Sequence, residues 1–494
     1  MENHDIFSPE GSNLFGGGAP NVQDDDELPI IPGAIGEFSF PPPGIELLAF
    51  PPSATSFPHQ DAPQLPPAGA LGASSSNDAP LSVEDLVRIA ASKFVWSRSN
   101  DTTSFDVQLS EDESESVTLA QLLLEAAEEV GERRFDPSRT LLDQCDRRSS
   151  PTGNPVQRLV FYYSQALRDR IDRETGRSAS PPETVTERSR DLYKVVMIPS
   201  IRSIEFQSKI PFSHAAQFAG IQAIVEQLDG TTKIHILDFA VRNGQQWIIL
   251  MQALSSRPKR RRVRRLKITA VATLGQEQIE RTGSRLVSYA ESVGLPCKFD
   301  VVMVSDLAEL RRDHIQVQPD EAVAVLAEYV LHTMTEPMDR LDSLVRVIRS
   351  FNPCVMVVGE VEGNMNSPVF IDRFVESLFF TSAFFDCMEE CIGRDDEVVR
   401  KYGEETLFGE ASKIVVAIEG RERIIRNMKV DVWRTYFQRF GMWEVELSRS
   451  SLYQAELVTK RLPSWGPCTV GMDGKSLIVG WKGTPIKSVT VWKF

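Results

Sequence analysis

The stretch Ile234-His235-Ile236-Leu237-Asp238-Phe239 decides the fold: six residues, apolar but for one histidine, with an acidic residue at the fifth position. A β-branched apolar run of this length, without polar alternation, is the pattern of a strand buried on both faces, as in a parallel sheet. A helical pattern follows over about 245–255. The theme then repeats: LKITAVAT (266–273) precedes a helix over 276–292, and KFDVVMV (298–304), EAVAVLAE (321–328) and CVMVVGEV (354–361) are further apolar runs. Strands alternating with helices predict a doubly wound α/β sheet covered on both sides. Near the end, Asp473-Gly474 separates two strand-like runs in CTVGMDGKSLIVGW (468–481), a hairpin signal, so the sheet is expected to finish in antiparallel strands.

This layout, with helices prepended, resembles that of class I methyltransferases. In a cofactor-binding sheet of this kind, glycines after the first strand let the backbone approach the ligand. Here Asp238 is followed by Phe-Ala-Val-Arg-Asn (239–243), and the first glycine is Gly244. The expectation is no cofactor; the alternative is a methyltransferase-like enzyme or small-molecule sensor using Asp238 and the loop 239–244. Other catalytic signatures fail on spacing. Gly474-Lys475-Ser476 lacks the upstream glycine of a phosphate loop, since position 469 is Thr469, and there is no G-x-S-x-G or H-E-x-x-H. The six histidines show no ligand spacing, and His235, inside a strand, reads as a satisfied core histidine. The closest cysteines, Cys387 and Cys391, share a helix face without a histidine near them and read as small buried hydrophobes.

Upstream, residues 81–230 read as helical. Ser82-Val-Glu-Asp85 suits a capping box ahead of Leu86, Ile89, Ala90 and Phe94. A polar interval (97–116) precedes a second stripe of Leu119, Leu122, Leu123, Ala126 and Val130. Pro155, suited to a first helical position, opens a third with Val156, Leu159, Val160, Tyr163 and Leu167. Such leucine-rich helices serve either a core or a partner's groove. Leu119, Leu122, Leu123, Val130, Leu159, Tyr163 and Leu167 are therefore candidate partner-binding residues.

Charge divides the chain. Net charge is −15 over 494 residues, yet residues 1–80 hold eleven acidic side chains and no Lys or Arg, with fourteen prolines and nine glycines, leaving −4 for the rest. That composition cannot bury enough apolar surface to offset the entropy of ordering, so a disordered acidic tail is expected. Within it, Asp24 to Glu27 precede Leu28, Ile30 and Ile31, and Glu46 lies beside Leu47, Leu48 and Phe50, the composition of a docking or activation segment. The start MENHDIFSPEG has no basic or apolar signal region and no eighteen-residue apolar run exists, so neither secretion nor membrane spanning is expected. One basic feature stands out, RPKRRRVRRLK (257–267), with eight Lys/Arg in eleven residues. Lys259, Arg260, Arg261, Arg262, Arg264, Arg265 and Lys267 are candidates for nuclear import or for phosphate contact, which supplies affinity without reading bases. Direct DNA binding through this run is the second alternative function.

Several ordered motifs resemble the plant GRAS family over about 118–494. LAQLLLEAAEEV (119–130) with NPVQRLVFYYSQAL (154–167) is similar to its first leucine-rich region. Ile234, His235, Ile236, Leu237, Asp238, Gly244, Gln246 and Trp247 are similar to its VHIID signature. NSPVFIDRF (366–374) with Pro368, and IEGRERIIRN (418–427) with Glu419 and Gly420, resemble the PFYRE motifs. Trp443, Trp481 and Trp492 resemble the SAW region. The resemblance implies a nuclear transcriptional regulator on a methyltransferase-like α/β core with a helical cap. It implies no catalysis and no cofactor, and docking of DNA-binding transcription factors or of other GRAS-type chains, as homo- or heterodimer. The gibberellin-response branch is closest in texture, although its DELLA signature is met only by Asp26-Glu27-Leu28 before Pro29. The resulting domain plan is a tail (1–80), a helical cap (81–230) and an α/β core (231–494).

Overall fold

The computed structural model describes residues 81–96, 108–177, 182–393 and 396–494. The acidic tail and most of the polar interval lie outside these residues. The first helix, α1 (Val83–Trp96), buries Leu86, Val87, Ile89 and Ala90. Helix α2 (Glu111–Gly131) starts earlier than its apolar stripe suggests. Ser110 and Glu113 form a reciprocal capping box, and Glu111, Asp112 and Glu113 occupy the first turn, where negative charge complements the helix dipole. Helix α3 (Phe135–Arg148) follows, then α4 (Pro155–Glu174), which begins on Pro155 as expected, with Asn154 and Gln157 as its capping box. Helices α5 (Pro182–Met197), α6 (Ile201–Lys209) and α7 (Phe212–Gln227) complete the N-terminal set.

The sheet begins with β1 (Lys233–Asp238) and continues through α8 (Gln245–Ser255), β2 (Arg265–Ala272), α9 (Gln276–Ser292), β3 (Cys297–Met303), β4 (Ala322–Glu328), α10 (Met338–Ser350) and β5 (Val355–Val361). These five strands are parallel, in the order β3-β2-β1-β4-β5. The last strand, β9 (Thr484–Lys493), runs antiparallel beside β5, and β8 (Ser476–Trp481) and β7 (Cys468–Asp473) follow it outward as the expected hairpin. A three-residue strand, β6 (Trp443–Val445), pairs with the far end of β9. Both faces are covered, as a doubly wound methyltransferase-like sheet requires. Ile234, Ile236, Ile268 and Val357 join the core beneath α7, α8 and the cap, whereas Leu237, Val271, Val325 and Val358 join a second core beneath α10 and α14 (Val430–Gln438).

The cap is assembled from two separated stretches. Helix α11 (Phe370–Cys391) packs against α1, α2 and α4, and α13 (Glu410–Ala417), which follows the short α12 (Glu397–Tyr402), packs against α4. Helix α7 instead lies on the sheet, against β5 and β9, and α15 (Arg449–Thr459) packs on α7.

Candidate functional site

In a doubly wound sheet the ligand crevice opens at the carboxyl ends of the strands, where the order reverses between β1 and β4. Here that crevice is filled by protein. Asp238, at the end of β1, is fully buried and accepts hydrogen bonds from the backbone N–H of Ala240 at 2.8 Å, from Trp247 Nε1 at 2.6 Å and from Gln246 Nε2 at 3.3 Å. Burial pushes its pKa up to about 6, against the opposing pull of the Ala240 N–H, of Trp247 and of Arg242. Its acceptor capacity is spent on its own loop and on the first turn of α8. Phe239, Ala240 and Val241 turn into the core. Gly244 adopts φ +73° at the N-cap of α8, and a Cβ there would stand 2.9 Å from Thr282 Cγ2 and 3.0 Å from Leu286 Cδ1 on α9. This glycine therefore serves a left-handed turn and close helix packing rather than a ligand.

Opposite, Glu328 at the end of β4 forms close ion pairs with Arg242 and with Lys487 of β9. Lys487 Nζ also lies 4.0 Å, and the Arg242 guanidinium carbon 5.2 Å, from the ring centroid of Tyr329. Glu328 is only 3% exposed. Burial alone would raise its pKa, but the two cations outweigh burial and hold it at about 2, so this carboxylate stays charged. The space left among Ala216, Gln217, Gln246, Glu328 and Lys487 is about 20 Å³. That is room for a single water, against several hundred Å³ for an organic ligand. None of these three charged residues was singled out from sequence, because positions 242, 328 and 487 meet only in the fold. The available signal was a glutamate ending an apolar strand, since a buried charge needs partners.

The signature residues of β1 and α8 are structural. Ile234, Ile236, Leu237, Gln246 and Trp247 are buried. His235 is fully buried, with Nε2 2.8 Å from Thr269 Oγ1 and Nδ1 3.3 Å from Glu321 Oε2. Burial, with Lys267 nearby, pushes its pKa down to about 4, which keeps it neutral.

The candidate partner-binding residues fall almost entirely inside the molecule. Leu119, Leu123, Val130, Leu159, Tyr163 and Leu167 are buried in the main core, and Leu122 is half-buried against it. Tyr163 is hydrogen-bonded to Ser377 at 2.7 Å and donates to Thr381 at 2.9 Å on α11.

The basic run is divided. Arg257 donates to the carbonyls of Val225, Leu228 and Thr231 at the end of α7, Arg261 pairs with Asp229 at 2.8 Å, and Arg262 donates to Gly294 O at 2.9 Å. Arg265 pairs closely with Glu321, and Lys267 lies 3.1 Å from both Asp300 Oδ2 and Gln316 O. Lys259, Arg260 and Arg264 are exposed, and their side chains have no partner among the described residues. Arg262 and Arg265 are exposed as well, although their side chains already have a partner.

The tryptophans separate likewise. Trp481 Nε1 donates to Asp386 at 2.7 Å and Trp492 Nε1 to Thr490 Oγ1 at 2.7 Å, both rings buried, whereas Trp443 on β6 is 54% exposed. Pro368, Glu419 and Gly420 lie at the surface.

Comparison with known proteins fits this geometry. The model of the GRAS domain family matches residues 119–493. The DELLA protein GAIP of Cucurbita maxima is 26% identical over 390 residues, covering 78% of this chain and 64% of that protein. Scarecrow-like protein 11 of Arabidopsis thaliana is 30% identical over 389 residues, covering 76% of this chain and 62% of its own length. The chain thus spans somewhat less than two thirds of the length of each. The crystal structure of SCL7 in Oryza sativa superposes with a TM-score of 0.65 at 27% identity, covering 76% of this chain and 99% of that one. With the signature residues buried on β1 and α8, the hairpin closing the sheet and the match running from α2 to β9, the chain belongs to the GRAS domain family.

Proposed function

We propose that this protein is a nuclear regulator of transcription, acting in gibberellin or developmental signalling through contact with DNA-binding transcription factors or with other GRAS-type chains, and without catalysis. The observation that carries the non-catalytic reading is the filled crevice: Arg242, Glu328 and Lys487 pair across the position a cofactor would take, leaving about 20 Å³. The DELLA and Scarecrow-like relatives support the signalling context. Among the described residues no helix is long and apolar enough to cross a membrane. Thermal melting with S-adenosylmethionine tests the reading. A ligand at 100 times its dissociation constant would stabilise the fold by about 2.7 kcal/mol, so a clear upward shift would restore the enzyme or sensor alternative. Affinity capture with the full chain and with residues 81–494 tests the docking half, the tail contributing the partners retained only by the full chain.

A second reading, direct phosphate contact, rests on Lys259, Arg260 and Arg264, which the fold leaves exposed. Three neutralised phosphates would give a log–log salt slope of about −2.7 on duplex DNA. Binding that ignores salt, or no binding by the full chain, removes this reading.

A further inference from the structure

On the cap side of the molecule, four arginines from separate segments lie close enough to act on one another, and two of them, Arg170 and Arg373, share the carboxylate of Glu419. Arg170 of α4, Arg373 of α11, and Arg423 and Arg426 from the stretch between α13 and α14 are all buried. Glu419 accepts from Arg170 NH1 at 2.7 Å and closely from Arg373 NH2. Arg170 has a second carboxylate in Glu174, 2.9 Å away, which Arg133 shares at 3.3 Å, and the nearest carboxylate to Arg426 is Glu336 at 4.0 Å.

Arg423 is the exception. It is 4% exposed and forms no ion pair among the described residues, and its side chain makes one hydrogen bond, from NH1 to Met365 O at 2.7 Å; its Nε is buried without a partner. Burial, reinforced by Arg373 and Arg426, pushes its pKa down to about 10, which still leaves it charged at neutral pH. A buried guanidinium that cannot shed its proton demands an anion.

Glu419 is placed to yield its position. Its side chain is half exposed, and the following residue, Gly420, adopts φ +62° with open space where a Cβ would be. If the carboxylate swings outward, Arg170 NH1 and Arg373 NH2 lose their shared acceptor, with Arg170 keeping Val416 O and Glu174, Arg373 keeping Val415 O and Ser367 O, and the buried Nε atoms of Arg170 and Arg423 still without a partner. A tetrahedral dianion, with several acceptor oxygens and twice the charge, suits planar guanidinium forks better than the carboxylate does.

We propose that this arginine cluster is a binding site for a phosphate-class dianion, either free phosphate or a phosphate monoester, and that Glu419 is the built-in occupant that the dianion displaces. The site is independent of the crevice and of the docking reading above.

The test uses the full chain, with inorganic phosphate, and with O-phosphoserine against serine, in chloride at matched ionic strength. Binding is read by isothermal titration and by melting temperature. The wild-type protein should be stabilised by phosphate beyond chloride. Arg423→Gln, which keeps a donor for Met365 O but removes the charge, should weaken phosphate binding at least about tenfold. Glu419→Gln should strengthen it, because the competing charge is gone, and the exposed neighbour change Arg421→Gln should leave it unaltered. If Arg423→Gln fails to fold, Glu419→Gln still decides by its opposite sign. No phosphate-specific effect in the wild type, or Glu419→Gln binding no tighter than wild type, overturns the proposal. Tighter binding of O-phosphoserine than of phosphate assigns the site to phosphorylated residues; equal binding assigns it to the free anion.

Discussion

Replacing Glu328 with Gln removes the one negative charge that Arg242 and Lys487 share, while leaving both cations buried and the shape nearly unchanged. The pKa of Glu328 falls from 4.5 to about 2 on folding, and at 1.36 kcal/mol per unit that difference is worth about 3 kcal/mol at neutral pH. This agrees with the roughly 3–5 kcal/mol measured when one partner of a buried pair is deleted. With an unfolding entropy near 2.1 cal/mol/K per residue, a folded unit of roughly 400 residues loses about 1.2 °C per kcal/mol, so Tm should drop by about 4 °C. The sign with pH follows from the depressed pKa. Stability from Glu328 is complete above about pH 4.5 and is lost as pH falls toward 2. The deficit of Glu328→Gln should accordingly be full at pH 7 and shrink below pH 4.5. Calorimetry of both proteins across that range supplies the comparison, and the triple change of Arg242, Glu328 and Lys487 to Met should recover most of the loss, because no orphaned charge remains. A Glu328→Gln protein within about 0.5 kcal/mol of wild type at pH 7 would mean that water reaches the triad, and the filled-crevice reasoning would fall with it.

Four further outcomes are expected. Asp238 has a raised pKa of about 6, so its ionisation disfavours the folded state between pH 4 and 6; Asp238→Asn should gain stability relative to wild type as pH rises through that window, and a constant difference from pH 4 to 7 would refute the burial argument. Gly244→Ala places a Cβ against Thr282 and Leu286 at a positive φ and should cost about 1–3 kcal/mol in urea unfolding. Leu123→Ala should cost about 2–5 kcal/mol as a core cavity, whereas Lys substituted at half-buried Leu122 should be milder; the reverse order would return these leucines to a partner's groove. Changing Lys259, Arg260 and Arg264 together to Gln should reduce nuclear accumulation of a fluorescent fusion with Tm unmoved, whereas Arg257→Gln should lower Tm by removing donors from the end of α7. An unaltered distribution in the triple variant would leave the run without a role in import.

The parallel strands were legible because each is a β-branched apolar run, and continuous burial on both faces leaves no polar alternation to confuse them with a half-exposed strand. The hairpin was legible from Asp473-Gly474. The start of α2 was not, since Glu111 to Glu115 read as a polar linker until Ser110 and Glu113 are seen to cap a helix. Nor was β6, whose three residues pair only with the distant β9. Helix α11 buries residues around most of its circumference and so lacks the one-sided period that marks a surface helix.

By itself, the sequence determined what depends on near neighbours: the parallel strands, the helix start at Pro155, the turn at Gly474, and the bulky loop after Asp238 that argues against a cofactor. Only the tertiary structure decided which charges are spent and which are free. Arg242 meets Glu328 and Lys487, Arg257 and Arg261 close the end of α7 while Arg260 stays exposed, and Arg423 is buried without a carboxylate. The reason is one of range. Propensity and capping act within a few residues along the chain, whereas desolvation and ion pairing depend on distances in space that the chain order does not contain.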